Sequence, residues 1–201
     1  MYVGRIVAVG KTTKPFAAYR VSSRSFPNRV AKVVEDGVVA IQPLDPDDMK
    51  KNPYIAYNCL RTTPRGIVVS NGTHTDAIAE VLASGATPDT ALQQVLNEMG
   101  YEKDEFNTPR IAGIITDTMG YLGIVRADAV EVTGFELVEG VCRFICTYEL
   151  DRIDGKNHPF IAKNAAESAK QIYEQGVFED FEKPVCAAAW MEEFAVYNPH
   201  E

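Results

Sequence analysis

Several motifs that identify common protein classes are missing from this sequence of 201 residues. No stretch approaches the roughly 20 apolar residues that a membrane-spanning helix needs. The sequence begins MYVGRIVAVG, where Arg5 interrupts the apolar run and no small-residue cleavage site follows, so no signal peptide is predicted. There is no GxGxxG, no Walker loop and no GxSxG. The sequence therefore predicts neither a membrane protein nor a member of the large cofactor-binding classes.

Cysteine and histidine are scarce and scattered. The four cysteines are Cys59, Cys142, Cys146 and Cys186, none of them in a CxxC motif, and the three histidines are His74, His158 and His200. Cys142 and Cys146 have even spacing in a strand-like run, which predicts that they share one face. We interpret the cysteines as reduced core residues of a cytoplasmic protein. The histidines lack ligand spacing, so no metal site is predicted.

Acidic residues are absent from the first 34 positions. The cations of this segment are Arg5, Lys11, Lys14, Arg20, Arg24, Arg29 and Lys32, and the first carboxylate is Glu35. Because the net charge is −8 and this segment carries +7, the remainder carries −15. A pI near 5.0 argues against a general nucleic-acid binder. A local field of one sign attracts an oppositely charged ligand, so we expect a small anion to bind near this segment.

The periodicity of apolar residues predicts blocks of strands separated by helices. Strands are expected at 2–9, 16–22, 29–43 (a hairpin turning at Asp36-Gly37), 54–63, 66–70, 110–116, 120–126, 129–137 and 141–149, the last two joined at Glu139-Gly140. Helices are expected at 73–85, 87–100 and 164–176, whereas 184–197 fits strand or helix. This order predicts one layered α+β domain over residues 1–201, with two sheets face to face and helices outside.

The segment YRVSSRSFPNR, residues 19–29, is the main candidate for an anion site. Its candidate residues are Arg20, Ser22, Arg24, Asn28 and Arg29. The first three share a parity, so in an extended strand they lie on one face, and the last two follow Pro27 in a turn. Guanidinium groups bind phosphate in a bidentate manner, and hydroxyls and turn amides add neutral donors. The alternative is an arginine-rich edge strand that discourages aggregation between sheets.

Three further stretches carry polar residues at unusual positions. They are YEKDEFNTPR (101–110), with Glu102, Thr108 and Arg110; YNCLR (57–61), with Tyr57 and Asn58; and SNGTHT (70–75), with Asn71. Asparagine is disfavoured inside a strand, and a glycine turn before a helix presents free backbone N–H groups to an anion. The alternatives are an ordinary charged connector and a helix capped by Thr73 or Thr75. From the residues alone, the sequence predicts a protein that binds a small phosphorylated molecule.

The order of five motifs resembles that of the archaeal-type IMP cyclohydrolases. The motifs are MYVGRIVAVGKT, YRVSSRSFPNR, NPYIAYNC, VSNGTHTD and YEKDEFNTPRIAG, and the similarity extends over essentially the whole chain. The resemblance implies the last step of purine biosynthesis, in which 5-formamido-1-(5-phosphoribosyl)imidazole-4-carboxamide closes to IMP and water. It implies neither a metal nor an organic cofactor, and a phosphorylated ribotide rather than a nucleic acid or a membrane as the partner.

The resemblance also implies a fold and residue roles. The fold would be a four-layered αββα core like that of N-terminal nucleophile hydrolases. The family's glutamate and arginine fall on Glu102, for proton transfer, and on Arg29, for the developing oxyanion. N-terminal nucleophile hydrolases need a freed Thr, Ser or Cys, whereas here Tyr2 follows Met1 and its bulk should block methionine removal. We therefore expect this fold without its terminal nucleophile.

Two other functions stay open at this point. One is an amidohydrolase of the N-terminal nucleophile type, and the other is a purine-nucleotide-binding regulatory module without turnover. The sequence leaves homo-oligomerisation open.

Overall fold

The computed structural model describes residues 1–200, which form thirteen strands and four α-helices. In chain order these are β1 Ile6–Lys11, β2 Pro15–Ser22, β3 Arg29–Glu35, β4 Val38–Pro43, α1 Asp48–Lys51, β5 Tyr57–Thr63, β6 Gly66–Ser70, α2 His74–Ala83, α3 Pro88–Met99, β7 Arg110–Ile115, β8 Met119–Val125, β9 Val130–Glu136, β10 Val141–Cys146, β11 His158–Pro159, α4 Ala165–Glu174, β12 Pro184–Met191 and β13 Glu193–Tyr197. None of the helices formed by these 200 residues is long and apolar enough to cross a membrane.

The strands form two antiparallel sheets. The six-stranded sheet has the order β11-β10-β1-β2-β12-β13, and the seven-stranded sheet runs β3 to β9 in sequence order. Alternation along β2 shows how the six-stranded sheet is buried on both faces. Tyr19 and Val21 join a core shared with residues of the seven-stranded sheet, whereas Phe16 and Ala18 pack in a second core with residues of α4.

The helices pack on the faces that the shared core leaves free. Residues of α2 and α3 form a third core with Val68, Ala112 and Ile114 of the seven-stranded sheet. Helix α4 begins at the predicted cap, because the Asn164 side chain accepts a hydrogen bond from the Glu167 amide at 2.8 Å. The Asp36-Gly37 hairpin, the three long helices and the shared face of Cys142 and Cys146 are confirmed. All four cysteines are free and buried.

Two predictions about the chain path need correction, and one stretch that was left open is now assigned. The predicted hairpin at Glu139-Gly140 is wrong, because β9 pairs only with β8 and β10 pairs with β1 in the other sheet. The undecided stretch 184–197 forms two paired strands, β12 and β13. The predicted strand at 54–63 begins only at Tyr57, after a short 3₁₀ turn over Pro53–Ile55. Local periodicity reports which residues are extended, but not which sheet a strand joins.

The antiparallel order brings particular strand ends together. In the seven-stranded sheet β3, β5 and β7 begin at the edge where β4, β6 and β8 end, and in the six-stranded sheet β1 begins where β2 and β10 end. The Tyr19 and Tyr57 hydroxyls, 2.6 Å apart, connect the two sheets at this end. Loops that are distant in sequence therefore meet here.

Candidate active site

A cavity of about 740 Å³ opens at this end of the sheets. Its charged lining residues are Arg5, Arg24, Arg29, Lys51, Asp104 and Glu105, and its aromatic lining residues are Tyr2, Phe26, Tyr54, Phe106 and Tyr148. The volume lies within the usual range for sites that bind small molecules. Four cations and several ring faces suit a small planar anion.

The loop between α3 and β7 fixes the position of Glu102. The Asp104 carboxylate accepts hydrogen bonds from the Thr108 amide at 2.8 Å and the Thr108 hydroxyl at 2.7 Å, and from the Phe106 amide at 3.2 Å. The Glu102 amide donates to the Thr108 carbonyl at 2.9 Å. These bonds close the loop on itself and turn the Glu102 side chain inward.

Glu102 is a fully buried carboxylate between two guanidinium groups. Its Oε2 lies 3.6 Å from Arg5 Nη2 and its Oε1 lies 3.6 Å from Arg110 Nη1. These contacts are ion pairs without hydrogen-bond geometry, and both carboxylate oxygens lack a hydrogen-bond partner among residues 1–200. Burial raises the pKa of Glu102 to about 7, although the charges of Arg5, Arg110 and Arg29 act to lower it. Glu102 can therefore gain or lose a proton near neutral pH.

Arg29 is the first residue of β3 and lines the cavity. Its Nε donates to the Phe26 carbonyl at 3.1 Å, while its buried Nη1 has no partner among the described residues. The charge of Arg29 acts on the pKa of Glu102, so the two groups converge on one region from opposite halves of the chain. We name Arg5, Arg29, Glu102 and Arg110 the arginine–glutamate cluster.

Polar atoms without partners concentrate in and beside this cluster. Within residues 1–200, eight buried side-chain nitrogen or oxygen atoms lack a hydrogen-bond partner. Six of them belong to the arginine–glutamate cluster and a seventh is Nδ1 of His74, which lies next to it. Buried polar groups in native proteins are nearly always hydrogen-bonded, so this concentration marks a place prepared for a polar ligand.

Arg20 and Ser22 do not reach the cavity, which corrects their prediction as substrate-binding residues. They share a face of β2 as predicted, but that face packs beneath α4. The buried Arg20 guanidinium donates to Ser22 Oγ and to the carbonyl oxygens of Tyr173, Phe178 and Phe181. With these donors engaged inside the protein, Arg20 holds the end of α4 and the turn that follows it.

Arg24 lines the cavity, but it lies beyond the end of β2 and is more than half exposed. Its guanidinium carbon lies 4.2 Å above the Tyr2 ring, and its Nη2 lies 3.2 Å from Glu182. The segment that lacks acids in sequence therefore has acids beside it in space. Asn28 is exposed and outside the cavity lining, and its carbonyl accepts from the Leu44 amide.

The two polar residues of β5 point in opposite directions. Tyr57 is buried between the sheets, and its hydroxyl bonds to Tyr19 near Arg5 and Arg29. Asn58 points to the outer face, where its Nδ2 donates to both oxygens of Asp76 on α2, at 3.0 and 3.1 Å. Asn58 is thus placed apart from the cavity, and its unusual position in a strand is explained by this contact.

Asn71 and Thr108 are buried and bind other parts of the protein. The Asn71 side chain donates to the Pro109 carbonyl at 3.0 Å and accepts from the Ile111 amide at 2.7 Å, which fastens the turn before α2 to the start of β7. Thr108 bonds Asp104, and its hydroxyl lies 3.1 Å from the Tyr148 hydroxyl at the cavity wall. Both residues organise the site, and neither lines the cavity.

Sequence reasoning missed Arg5 and His74 as site residues. Arg5 showed a signal, since a cation interrupting an apolar strand is costly unless it has a role. His74 showed none, because its isolation in sequence hides its contact with the cluster. Among residues 1–200 no group of three or more His, Cys, Asp or Glu side chains is arranged to hold a metal ion.

The fold and the cavity together define a class of protein. It is a mixed α and β protein of two antiparallel sheets. Beside a cavity of nucleotide size it holds a buried carboxylate and guanidinium groups with donor atoms that lack hydrogen-bond partners among the described residues. The chain belongs to the IMP cyclohydrolase family, because residues 2–195 match the family described as "IMP cyclohydrolase-like protein".

Individual relatives cover nearly the whole chain. The IMP cyclohydrolase of Methanocaldococcus jannaschii is 49% identical over 193 residues, covering 94% of this chain and 93% of that protein. The IMP cyclohydrolase of Methanocella arvoryzae is 45% identical over 204 residues, covering 98% of each chain. That of Methanothrix thermoacetophila is 42% identical over 205 residues, covering 99% of this chain and all of that protein.

Proposed function

We propose that this protein is an IMP cyclohydrolase, which closes 5-formamido-1-(5-phosphoribosyl)imidazole-4-carboxamide to IMP and water. The observation that carries the proposal is the buried Glu102 carboxylate, held between Arg5 and Arg110 beside the cavity. Membership of the IMP cyclohydrolase family names the reaction, and this geometry suits its chemistry. The reaction needs one group that accepts and returns a proton, and a cation for the oxygen on which charge develops.

The first contribution of the cavity is to orient the substrate. The carboxamide nitrogen and the formyl carbon belong to one molecule, and they react only when the formamido group folds back over the imidazole. A cavity with ring faces on several sides, including Tyr54 and Tyr148, restricts the ligand to such a conformation. Holding reacting atoms in contact removes much of the entropic barrier.

The second contribution is proton transfer by Glu102. The carboxylate takes a proton from the amide as its nitrogen bonds to the formyl carbon, and the formyl π-electron pair moves to oxygen. Glu102 returns that proton to the resulting oxyanion, which becomes a hydroxyl. The hydroxyl then leaves as water with a second proton, which comes from the formamido N–H by way of Glu102, as the ring C=N bond forms. Glu102 has no exposed surface, and Arg5 lies between it and the cavity, because Arg5 lines the cavity and contacts the Glu102 carboxylate. Proton transfer therefore requires the Arg5 side chain to shift when the ligand binds.

The third contribution is electrostatic. The Nη1 group of Arg29 is buried and has no partner among the described residues, so it can donate to the developing oxyanion without breaking a protein contact. Arg24 and Lys51 are more exposed and line the cavity, where they suit the ribotide phosphate. No step requires a metal or an organic cofactor.

We also infer that the chain is one domain with a four-layered αββα arrangement like that of N-terminal nucleophile hydrolases. Support comes from the helices, since α2 and α3 pack outside one sheet and α4 packs outside the other. Tyr2 lines the cavity, where its ring stacks on Tyr148 with ring centroids 5.7 Å apart.

The test is to incubate the protein with the formamido ribotide and follow purine-ring formation by absorbance, with formate measured in parallel. We expect IMP without formate, and we expect the Glu102→Gln variant to be the matched control with little turnover. Formate release without IMP would instead indicate an amidohydrolase. Tight IMP binding with no turnover would indicate a regulatory module.

A further inference from the structure

His74 is a buried polar residue of the site that takes no part in the proposed mechanism. It is the first residue of α2, fully buried, and it follows the turn that Asn71 fastens to β7. Its ring contacts the start of β7 through Nε2, 3.0 Å from the Ile111 carbonyl oxygen. Its other nitrogen, Nδ1, has no hydrogen-bond partner among the described residues.

The Ile111 contact determines the tautomer of His74. A carbonyl oxygen only accepts, so Nε2 carries the hydrogen and donates it. Burial and the charge of Arg110 lower the pKa of His74 to about 3, so the ring is neutral at physiological pH. In a neutral ring with hydrogen on Nε2, Nδ1 is a lone-pair acceptor.

The Nδ1 acceptor lies against the arginine–glutamate cluster. A Cβ atom built on Gly72 would lie 2.9 Å from Arg110 Nη1, 3.1 Å from His74 Nδ1 and 3.2 Å from Glu102 Oε1. All three atoms lie near one point, so Nδ1 and Oε1 are no more than 6.3 Å apart. Contact through a small side-chain rotation or one bridging water is within reach at this separation.

The proposed reaction creates a need for such an acceptor. Once Glu102 has taken the proton, its hydroxyl must donate to something, and Arg5, Arg29 and Arg110 are donors only. Asp104 is the other acceptor whose charge acts on Glu102, but its oxygens already accept from Phe106 and Thr108. His74 Nδ1 is a buried acceptor that lies beside Glu102 and has no partner among the described residues.

We propose that His74 is a positioning residue, whose Nδ1 accepts a hydrogen bond from protonated Glu102 and so holds the carboxyl group in its acid form between the two halves of the reaction. The role in turnover rests on the proposed cyclohydrolase function, whereas the hydrogen bond does not. A bond that favours the neutral carboxyl raises its pKa. The other charges facing Glu102 are Arg5 before β1, Arg29 on β3, Arg110 on β7 and Asp104 in the loop.

Two substitutions separate this role from a purely structural one. The His74→Gln variant places an amide near the Nε2 position, which keeps a donor to the Ile111 carbonyl and removes the Nδ1 acceptor. The His74→Asn variant does the opposite, placing an amide oxygen near the Nδ1 position and losing the bond to Ile111. If His74 only fastens α2 to β7, Asn is the damaging change. If Nδ1 serves Glu102, Gln is the damaging change.

The experiment measures the protonation of Glu102 directly, by the infrared carbonyl band of its carboxylic acid as a function of pH. The band is assigned by its loss in Glu102→Gln. We expect the titration midpoint to fall by about one pH unit in His74→Gln and to stay near the wild-type value in His74→Asn. We expect kcat to fall by up to about 100-fold in His74→Gln, because Glu102 is then less well positioned, with KM nearly unchanged. We expect the melting temperature to fall more in His74→Asn.

Each outcome decides between the readings. An unchanged midpoint in His74→Gln would overturn the proposal and leave Arg110 Nη1 as the partner of Nδ1. If the midpoint shifts in His74→Gln but the wild-type protein makes no IMP, the hydrogen bond is supported and the cyclohydrolase function is rejected. If His74→Asn fails to fold, the His74→Gln titration against wild type still gives the answer.

Discussion

Buried arginines occur in two different environments in this protein. Arg20, beneath α4, donates to one hydroxyl and three carbonyl oxygens, and burial lowers its pKa to about 10. Arg5, Arg29 and Arg110, at the shared end of the two sheets, keep donors without partners and face a carboxylate that they do not hydrogen-bond. The contrast supports the proposal that the satisfied donors of Arg20 serve the fold, whereas the buried unsatisfied donors of the arginine–glutamate cluster serve a ligand.

The largest effect on turnover should come from removing Glu102, the proton-transfer group of the arginine–glutamate cluster. Glu102→Gln keeps the size of the side chain and abolishes its basicity, so we expect kcat to fall by roughly 10²- to 10⁴-fold. IMP affinity, measured by calorimetry, should stay within a few fold of wild type. A variant with near-normal kcat would remove Glu102 from the mechanism.

The same residue should govern pH dependence. Glu102 acts as a base when deprotonated, so kcat/KM of the wild type should rise as pH increases through about 7. The sign for stability is opposite. The pKa of Glu102 is higher in the folded than in the unfolded protein, so its favourable contribution is complete below about 4.5 and is lost as pH rises through about 7. Glu102→Gln should therefore gain stability relative to wild type between pH 5 and pH 8, as measured by denaturant titration.

The next largest effect should come from Arg29. Arg29→Lys keeps the charge and loses the planar group whose Nη1 is free to donate, so we expect kcat to fall by about 10²-fold with measurable residual activity. Steady-state kinetics would show this. The same variant should keep its melting temperature, since the wild-type contact it loses is a single bond to the Phe26 carbonyl.

Arg20 should show the reverse pattern, with a loss of stability and normal kinetics. Arg20→Met removes a buried donor from three carbonyl oxygens, of which only that of Phe178 keeps a second donor among the described residues, the Phe181 amide. We expect the free energy of unfolding to fall by about 3 kcal/mol. Denaturant unfolding measures this loss. Well below the unfolding temperature, KM should match wild type, and a large rise in KM would return Arg20 to the substrate site.

The smallest effect on kinetics and stability should come from Arg24→Met, the same substitution four residues after Arg20. Arg24→Met removes an exposed guanidinium that is shared with Glu182, so we expect only a roughly fivefold rise in KM, with kcat and stability almost unchanged. Asn58→Ala, on the outer face beside Asp76, should serve as a matched control with wild-type kinetics. Equal KM values for Arg24→Met and this control would place the phosphate elsewhere.

Periodicity and local signals predicted much of the fold. The Asn164 cap, the Asp36-Gly37 turn and the long helices depend on neighbouring residues, so the sequence is sufficient to find them. The Glu139-Gly140 hairpin failed because strand pairing is decided by which cores the strands enter.

The candidate site was harder to predict, because parity and spacing show which residues share a face of a strand but not what that face packs against. Arg20 and Ser22 share a face, as parity requires, but nothing local indicates that α4 covers that face. Arg5 and His74, which lie 97 and 28 residues from Glu102 in sequence, come close to it only because the loops and strand ends meet at one edge. The quoted motifs supplied Glu102 and Arg29 through resemblance, and spacing alone would not have paired them.

The most direct test of the site is a crystal structure of the protein with bound IMP. We expect the purine base in the cavity lined by Arg5 and Arg29, with Glu102 and Arg29 both within about 6 Å of the base, and the phosphate toward Arg24 and Lys51. A second, more open cavity, beside Arg126 and Asp128, is the alternative place where the nucleotide could bind. A nucleotide bound there, or a base beyond that distance from Glu102 and Arg29, would contradict the assignment of the arginine–glutamate cluster as the reaction centre.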